Sequence, residues 1–163
     1  MNTKLLLSWS SGKDAAWALH LLREDPGFEV AGLLTTVDAS TERVAMHGVR
    51  EDLLELQAEA AGLPLWRIPL PWPCPNEVYE ARMSETLGRM KADGIGAVAY
   101  GDLFLDEIRA YREARHQGSG IRPVFPLWGR DTASLAREMV AGGLRARLAC
   151  VDTSRLDGRF AGR

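Results

Sequence analysis

The sequence predicts a doubly wound α/β domain: a parallel sheet in three layers, with helices on both faces. Two observations carry this expectation. Short apolar runs alternate with longer amphipathic ones along the whole chain. The short runs are apolar almost throughout rather than at every second residue, as in strands covered on both faces. At 163 residues the chain suits one domain, residues 1–163, with a single core.

Each element has its own signal. Leu5-Leu6-Leu7-Ser8-Trp9 reads as the first strand, and Asp14 to Arg23 as a helix with Ala15, Ala16, Leu19 and Leu22 on one side. Phe28 to Thr36, rich in Val, Leu and Thr, is the second strand. Val49 to Ala61 is the second helix, closed by Gly62 and Pro64. Leu65 to Pro69 is a brief third strand. Pro71 to Asn76 holds three prolines in six residues and must be a loop. Asn76 then caps a helix from Glu77 to Lys91. Ile95 to Tyr100 is a fourth strand ending at Gly101-Asp102. Leu105 to Arg115 is a helix, broken by Gly118 and Gly120. Arg122 to Phe125 is a short fifth strand. Asp131 or Thr132 caps a helix running to about Val140, and Leu144 to Val151 is a sixth strand.

Composition narrows the function classes. A formal net charge of −2 does not mark a nucleic-acid binder. Cys74 and Cys150 stand far apart with no partner at metal spacing, which fits reduced thiols in a cytoplasm. Met1 to Leu7 is too short for a signal peptide or membrane span, so a cytoplasmic protein with no membrane partner is expected. Lysine occurs only at Lys4, Lys13 and Lys91, the other 17 of the 20 Lys and Arg being arginine. A lysine inside a Ser/Gly turn therefore stands out.

In doubly wound sheets, ligands bind outside the carboxyl ends of the strands, near the point where strand order reverses. Ser8, Ser10 and Ser11 follow the first strand, Thr35, Thr36 and Asp38 the second, and Gly101 and Asp102 the fourth; residues around Trp128 and Asp152 end the later ones. The segment Ser8-Trp9-Ser10-Ser11-Gly12-Lys13-Asp14 is neither a Walker A loop nor a dinucleotide G-x-G-x-x-G. Its serine hydroxyls, the backbone N–H groups freed by Gly12 and the start of a helix converge on one anion site. Lys13 adds a positive charge, and Asp14 suits the first turn of a helix. A Ser-rich capping turn without a ligand is the plainer reading of the same residues.

The segment resembles the PP-loop S-G-G-x-D-S of the N-type ATP pyrophosphatases. More closely, the chain resembles the branch of diphthine–ammonia ligase-like ATP-binding proteins, also called adenine nucleotide alpha hydrolases. Further blocks carry the likeness: Leu33-Leu34-Thr35-Thr36, Arg43 to Arg50, Gln57 to Ala60, Asn76 to Glu80, Gly101 to Phe104, Ile108 to Glu113, Phe125 to Gly129, Cys150 to Asp152 and Phe160 to Arg163. The resemblance implies a Rossmann-like, three-layer fold and an ATP-dependent ligase that cleaves ATP to AMP and pyrophosphate through an adenylated intermediate.

It implies ATP and Mg²⁺ as cofactors, with nucleotide contacts from Ser8, Ser10, Ser11, Gly12, Lys13, Asp14, Thr35, Thr36 and Gly101. Lys13, Asp14, Asp102 and His47 are the candidate catalytic residues, the last two from their place at the strand ends, with Asp14 and Asp102 as candidate metal ligands; capping the following helix is the rival role of Asp102. The acceptor substrate stays open, ammonia is an expected amine donor, and a homodimer is one expected form. A nucleotide-binding module or sensor without turnover is the alternative. The chain departs from the pattern where the final serine falls on Ala15, removing a hydroxyl donor worth about 1.5–3 kcal/mol if charge-assisted. Family members usually continue beyond the match to Phe160–Arg163, so a chain truncated at the C-terminus relative to the family is one expectation, beside a tail left out and a naturally short member.

Other residues have competing readings. His47 and Arg50 open the second helix and are candidates for holding an anion. Glu77 and Glu80 suit a first helical turn without any ligand. Arg109, Arg112 and Glu113 share one helical face, equally suited to a salt-bridge stripe or to substrate. Trp72 and Trp128 sit in loops and are the tryptophans best placed to line a pocket, whereas Trp9, Trp17 and Trp66 are expected in the core. Cys74 shows no partner base.

Overall fold

A computed structural model describes residues 2–163. The chain forms two compact units, Met1–Arg130 and Asp131–Arg163. The first holds the whole sheet. Its elements run β1 (Thr3–Ser8), α1 (Lys13–Glu24), β2 (Phe28–Asp38), β3 (Arg43–Val44), α2 (Glu51–Ala61), β4 (Leu65–Leu70), α3 (Asn76–Ala92), β5 (Ala97–Ala99), α4 (Asp106–His116) and β6 (Arg122–Val124). The second holds α5 (Thr132–Ala141) and a 3₁₀ turn, Gly158–Phe160.

Five strands are parallel. β1 pairs with β2 on one side and β5 on the other, β2 also pairs with β4, and β5 with β6. The sixth strand, β3, is antiparallel to β2 at Val37 and Asp38. β4 already takes the other edge of β2 at those residues, so β3 lies on the edge that β1 occupies further back. The order is therefore β4-β2-β1-β5-β6, with β3 beyond the end of β1. The sheet is mixed and mostly parallel, where the sequence predicted a wholly parallel one. Two residues are too short to show a strand period, so β3 left no signal.

Strand order steps away from β1 in opposite directions through β2 and through β5. Right-handed crossovers then place α1 and α2 on one face and α3 and α4 on the other. Side-chain alternation agrees. Leu6, Leu34, Ile68 and Val98 form one buried cluster with Leu87 and Met90 of α3, while Leu5, Leu7 and Leu33 are fully buried on the opposite face. Each such leucine contributes about 1.5–3 kcal/mol. Helix α2 ends at Gly62, whose φ of 64° gives the left-handed C-cap that glycine adopts without strain.

One boundary and one whole element differ from expectation. Pro75 rather than Asn76 precedes α3, and the Asn76 amide instead donates to Glu80 at 2.8 Å. No strand forms over Leu144 to Val151, where the backbone is irregular and nearly all side chains are exposed. Arg145 and Arg147 explain this, because a strand buried on both faces has no place for two unpaired guanidinium groups. In its own unit Leu148 instead exchanges backbone hydrogen bonds with Gly162 and Arg163, at 2.7 and 2.8 Å. Asp131 caps α5 as expected, accepting from the Ser134 N–H. Among the described residues no helix is long and apolar enough to cross a membrane.

A polar pair lies buried beside the core. The Tyr100 hydroxyl sits 2.8 Å from His116 Nε2, and His116 Nδ1 lies 2.9 Å from the Ile121 carbonyl. A carbonyl only accepts, so Nδ1 carries the proton and Tyr100 donates to Nε2. Burial holds the imidazole below its ordinary pKa and pushes the tyrosine hydroxyl up. The unfolded chain thus takes up the His116 proton more readily than the folded one. The contribution is complete above about pH 6.5 and is lost as pH falls below it. The urea midpoint should therefore be lower at about pH 5 than at about pH 7.5, and His116→Gln should flatten that difference. An unchanged slope in the variant would show that His116 is not buried neutral.

Candidate active site

The chain leaves β1 through Trp9, Ser10, Ser11 and Gly12 and enters α1 at Lys13. Trp9 extends the ladder by donating its N–H to the Leu34 carbonyl at 2.8 Å. Ser11 then adopts a φ of 66°, a left-handed conformation that costs a non-glycine residue about 1–2 kcal/mol. Gly12 is extended, and no side chain caps the helix it opens. Four N–H groups at a helix start lack intrahelical partners, so an uncapped start directs bare donors and the positive end of the helix dipole at whatever lies before it.

Gln57 of α2 holds the turn in place. Its Oε1 accepts from the Trp9 indole at 2.9 Å, and its Nε2 donates to the Ser11 carbonyl at 3.4 Å. On the other side, Gly101 backs the first turn of α1. A Cβ at that position would stand 3.3 Å from the backbone of Asp14 and Ala15. Gly101 is thus a close-packing residue behind the helix start rather than a lining residue of the cleft. Ala15 is buried at 2% exposure.

A cleft of about 510 Å³ opens at the carboxyl ends of the strands. Ser8 and Ser10 line it from β1, Thr35, Thr36 and Asp38 from β2, and Met46 and His47 from the loop after β3. Trp72 and Cys74 contribute from the Pro-rich loop, Tyr79 and Met83 from α3, and Ile108, Tyr111 and Arg112 from α4. Trp72 is 66% exposed at the mouth. Two buried hydroxyls in this region, Ser11 Oγ and Thr35 Oγ1, have no hydrogen-bond partner among the described residues. A buried unsatisfied hydroxyl costs about 1–3 kcal/mol. One stands past the end of β1 and the other on the neighbouring β2.

The predicted site residues separate into groups. Ser8, Ser10, Thr35, Thr36 and His47 line the cleft, and Ser11, Gly12, Lys13 and Asp14 form the turn and helix start beside it. The Thr36 carbonyl already accepts from the Ala45 N–H at 2.9 Å, whereas the buried Thr35 hydroxyl has no partner among the described residues. Lys13 Nζ lies 2.6 Å from Asp14 Oδ1, an ion pair that an arriving anion can exchange. Asp102 is engaged by Arg112, whose Nε lies 2.5 Å from Oδ2. Asp38 accepts from Ser40 and Thr41, which hold its carboxyl below the ordinary value.

Arg50 turns toward Asp52 at 3.3 Å and does not line the cleft. Trp128 instead packs edge-on to Phe125 beneath Arg109, whose ion pair with Glu113 is the predicted salt-bridge stripe. Asp152 lies in the second unit, where it caps a turn through Ser154. Among the described residues no group of three or more His, Cys, Asp or Glu side chains is gathered to hold a metal.

Sequence reasoning missed Gln57, Tyr79, Met83, Tyr100, Ile108 and Tyr111 as parts of this region. The signal was present in part: Tyr79 with Met83, and Ile108 with Tyr111 and Arg112, sit at the i, i+3 and i+4 spacing of a single helical face. Arg112 was weighed, but its partners were not foreseeable. Its guanidinium carbon lies 4.0 Å over the Tyr100 ring while the same group holds Asp102.

Comparison with known proteins bears on the family and the fold. Residues 3–123 match the family model described as "Diphthamide synthase N-terminal domain". One solved structure that matches is that of a "predicted subunit of tRNA methyltransferase" from Methanocaldococcus jannaschii. It is 18% identical over 85% of this chain and 74% of that one, with a TM-score of 0.52. At that identity the likeness bears on the fold alone. Comparison with curated proteins gives no match.

The unpartnered hydroxyl yields a stability test. Thr35→Val keeps the shape and removes a buried polar atom, so the ligand-free protein should keep its stability or gain up to about 1 kcal/mol in urea unfolding. A loss above about 1 kcal/mol would show that Thr35 is satisfied within the protein.

Proposed function

Because the chain belongs to the diphthamide synthase N-terminal domain family of the PP-loop superfamily, we propose that it binds ATP at the start of α1 and cleaves the α–β bond as an ATP-dependent ligase. The uncapped helix start beside the unpartnered Ser11 hydroxyl carries this reading. On it, the triphosphate lies along Ser10 to Lys13, where N–H groups and the lysine ammonium match phosphate oxygens. The adenosine occupies the cleft over β2 and β4, with Thr35 as a hydroxyl partner and Trp72 at its mouth.

The chemistry follows from charge development. An acceptor carboxylate oxygen forms a bond to the α-phosphorus as the α–β phosphoanhydride bond breaks. Pyrophosphate departs with the electron pair into the loop, whose donors stabilise the charge that builds on it. Ammonia or another amine then displaces AMP from the acyl adenylate. Mg²⁺ in such sites takes most of its oxygens from phosphates, with one or two carboxylates added. Asp14 fits that part. Asp102 would first have to give up Arg112, so it serves better to fix that arginine than to hold a cation. A tRNA acceptor, raised by the description of the archaeal neighbour, is disfavoured by the net charge of −2.

One observation favours a second reading, a nucleotide sensor without turnover: Ala15 stands where the PP-loop pattern ends in serine, removing a donor from the cradle. Product analysis separates the two. The ligase reading expects AMP and pyrophosphate from ATP and Mg²⁺ once an acceptor is supplied, and a sensor yields neither. Lys13→Ala should weaken ATP binding by about ten- to a hundredfold in calorimetry, the worth of one charge-assisted bond. Gln57→Leu, which frees the Ser11 carbonyl, should weaken it several-fold without touching any phosphate-facing side chain. ATP affinity unchanged in both variants would remove the helix start from the site.

A further inference from the structure

A second cavity of about 570 Å³ lies between α3 and α4, within the range of small-molecule sites. It shares Tyr79, Met83, Tyr100, Tyr111 and Arg112 with the nucleotide cleft, so the two spaces meet along one wall. Beyond that wall it is bounded by Glu80 and Leu87 of α3 and by Arg115 of α4. The geometry points to this cavity as the site of the acceptor: a small monocarboxylate with an apolar body, its charge on Arg112 and Arg115. The assignment of a site for a carboxylate stands alone, and its role as acceptor rests on the ligase reading above.

Three features carry it. Arg112 faces both spaces and lies over the Tyr100 ring, so a carboxylate held there lies at the junction with the nucleotide. Each guanidinium has five N–H donors. Asp102 engages Nε and Nη2 of Arg112, which also bonds the Tyr100 side chain, and Glu80 engages Nη2 of Arg115, which also bonds the Tyr111 side chain; this still leaves donors on both. Because each arginine already faces one carboxylate, the local charge is balanced. That balance suits a single added negative charge better than a phosphate dianion or polyanion. Met83 and Leu87 supply the apolar floor.

The third feature is Gly88. It lies inside the 17-residue α3, where glycine costs helix stability relative to alanine. Its φ is not positive, and a Cβ built on it meets nothing within 4 Å. Neither backbone conformation nor packing calls for glycine at this position. Gly88 is exposed and borders the cavity, so a large side chain placed there has room to reach across its mouth.

Phenylacetate is a suitable probe, with neutral phenylacetamide as its isostere, both followed by ligand-observed NMR on the full chain without nucleotide. Phenylacetate should bind, and phenylacetamide should bind about tenfold more weakly, since only the former meets a guanidinium fork. Gly88→Leu should abolish phenylacetate binding while keeping or raising the melting temperature, because leucine favours the helix as it fills the space. Arg115→Met should weaken phenylacetate about tenfold, and both variants should bind ATP as the parent does. Equal binding of the two probes, unchanged phenylacetate binding in either variant, or displacement of phenylacetate by ATP would overturn the site. Absence of ATP binding with phenylacetate binding intact would instead remove only the acceptor role.

Discussion

A helix that begins without a cap sets the terms for the rest of this structure. Helix α1 could have been closed by a serine or aspartate, a change worth a few tenths of a kcal/mol over glycine. Instead Gly12 occupies the capping position and Ser11 is held left-handed before it. Both features cost stability, and the surrounding fold sustains them. Gln57 reaches from α2 to the Ser11 carbonyl and the Trp9 indole, and Gly101 lets the end of β5 approach the first turn of α1. Strain and bare donors concentrated at one point of a packed core are the features that cluster at ligand-binding sites.

The sheet turns that local feature into a site. Strand order reverses at β1 and β5, so crossovers on opposite faces part above their carboxyl ends and leave room there. The short β3 fills the space past β1 and carries Met46 and His47 to the rim of the cleft. On the far side, α3 and α4 are spaced by Tyr79, Tyr100 and Tyr111, and bridged by the ion pair of Glu80 with Arg115. The same spacing that keeps these helices apart creates two adjoining cavities, with Arg112 the cation common to both. A cation at that junction is where two anionic reactants would need charge compensation.

Most of the first unit was legible because its strands are buried on both faces and read as unbroken apolar runs. The Ser10-Ser11-Gly12-Lys13 turn stood out for its chemistry and position. Leu144–Val151 misled because its apolar residues mimic a strand while Arg145 and Arg147 forbid burial. Thr35 and Thr36 were named together, yet only the geometry separates an unpartnered hydroxyl from a neighbour whose carbonyl is spent on β3. Gln57 was invisible as a loop support, since its partners Trp9 and Ser11 lie more than forty residues away along the chain. Asp102 likewise read as a free carboxylate because Arg112 approaches it only in the folded chain.

The central claim is that the start of α1 receives the nucleotide phosphates. Amide NMR of the labelled protein titrated with ATP and Mg²⁺ tests it most directly. The account predicts the largest shifts at the N–H groups of Ser11, Gly12, Lys13 and Asp14, with smaller ones along the end of β2 near Thr35. Saturable ATP binding whose shifts fall elsewhere and leave Ser11 to Asp14 unmoved would contradict it.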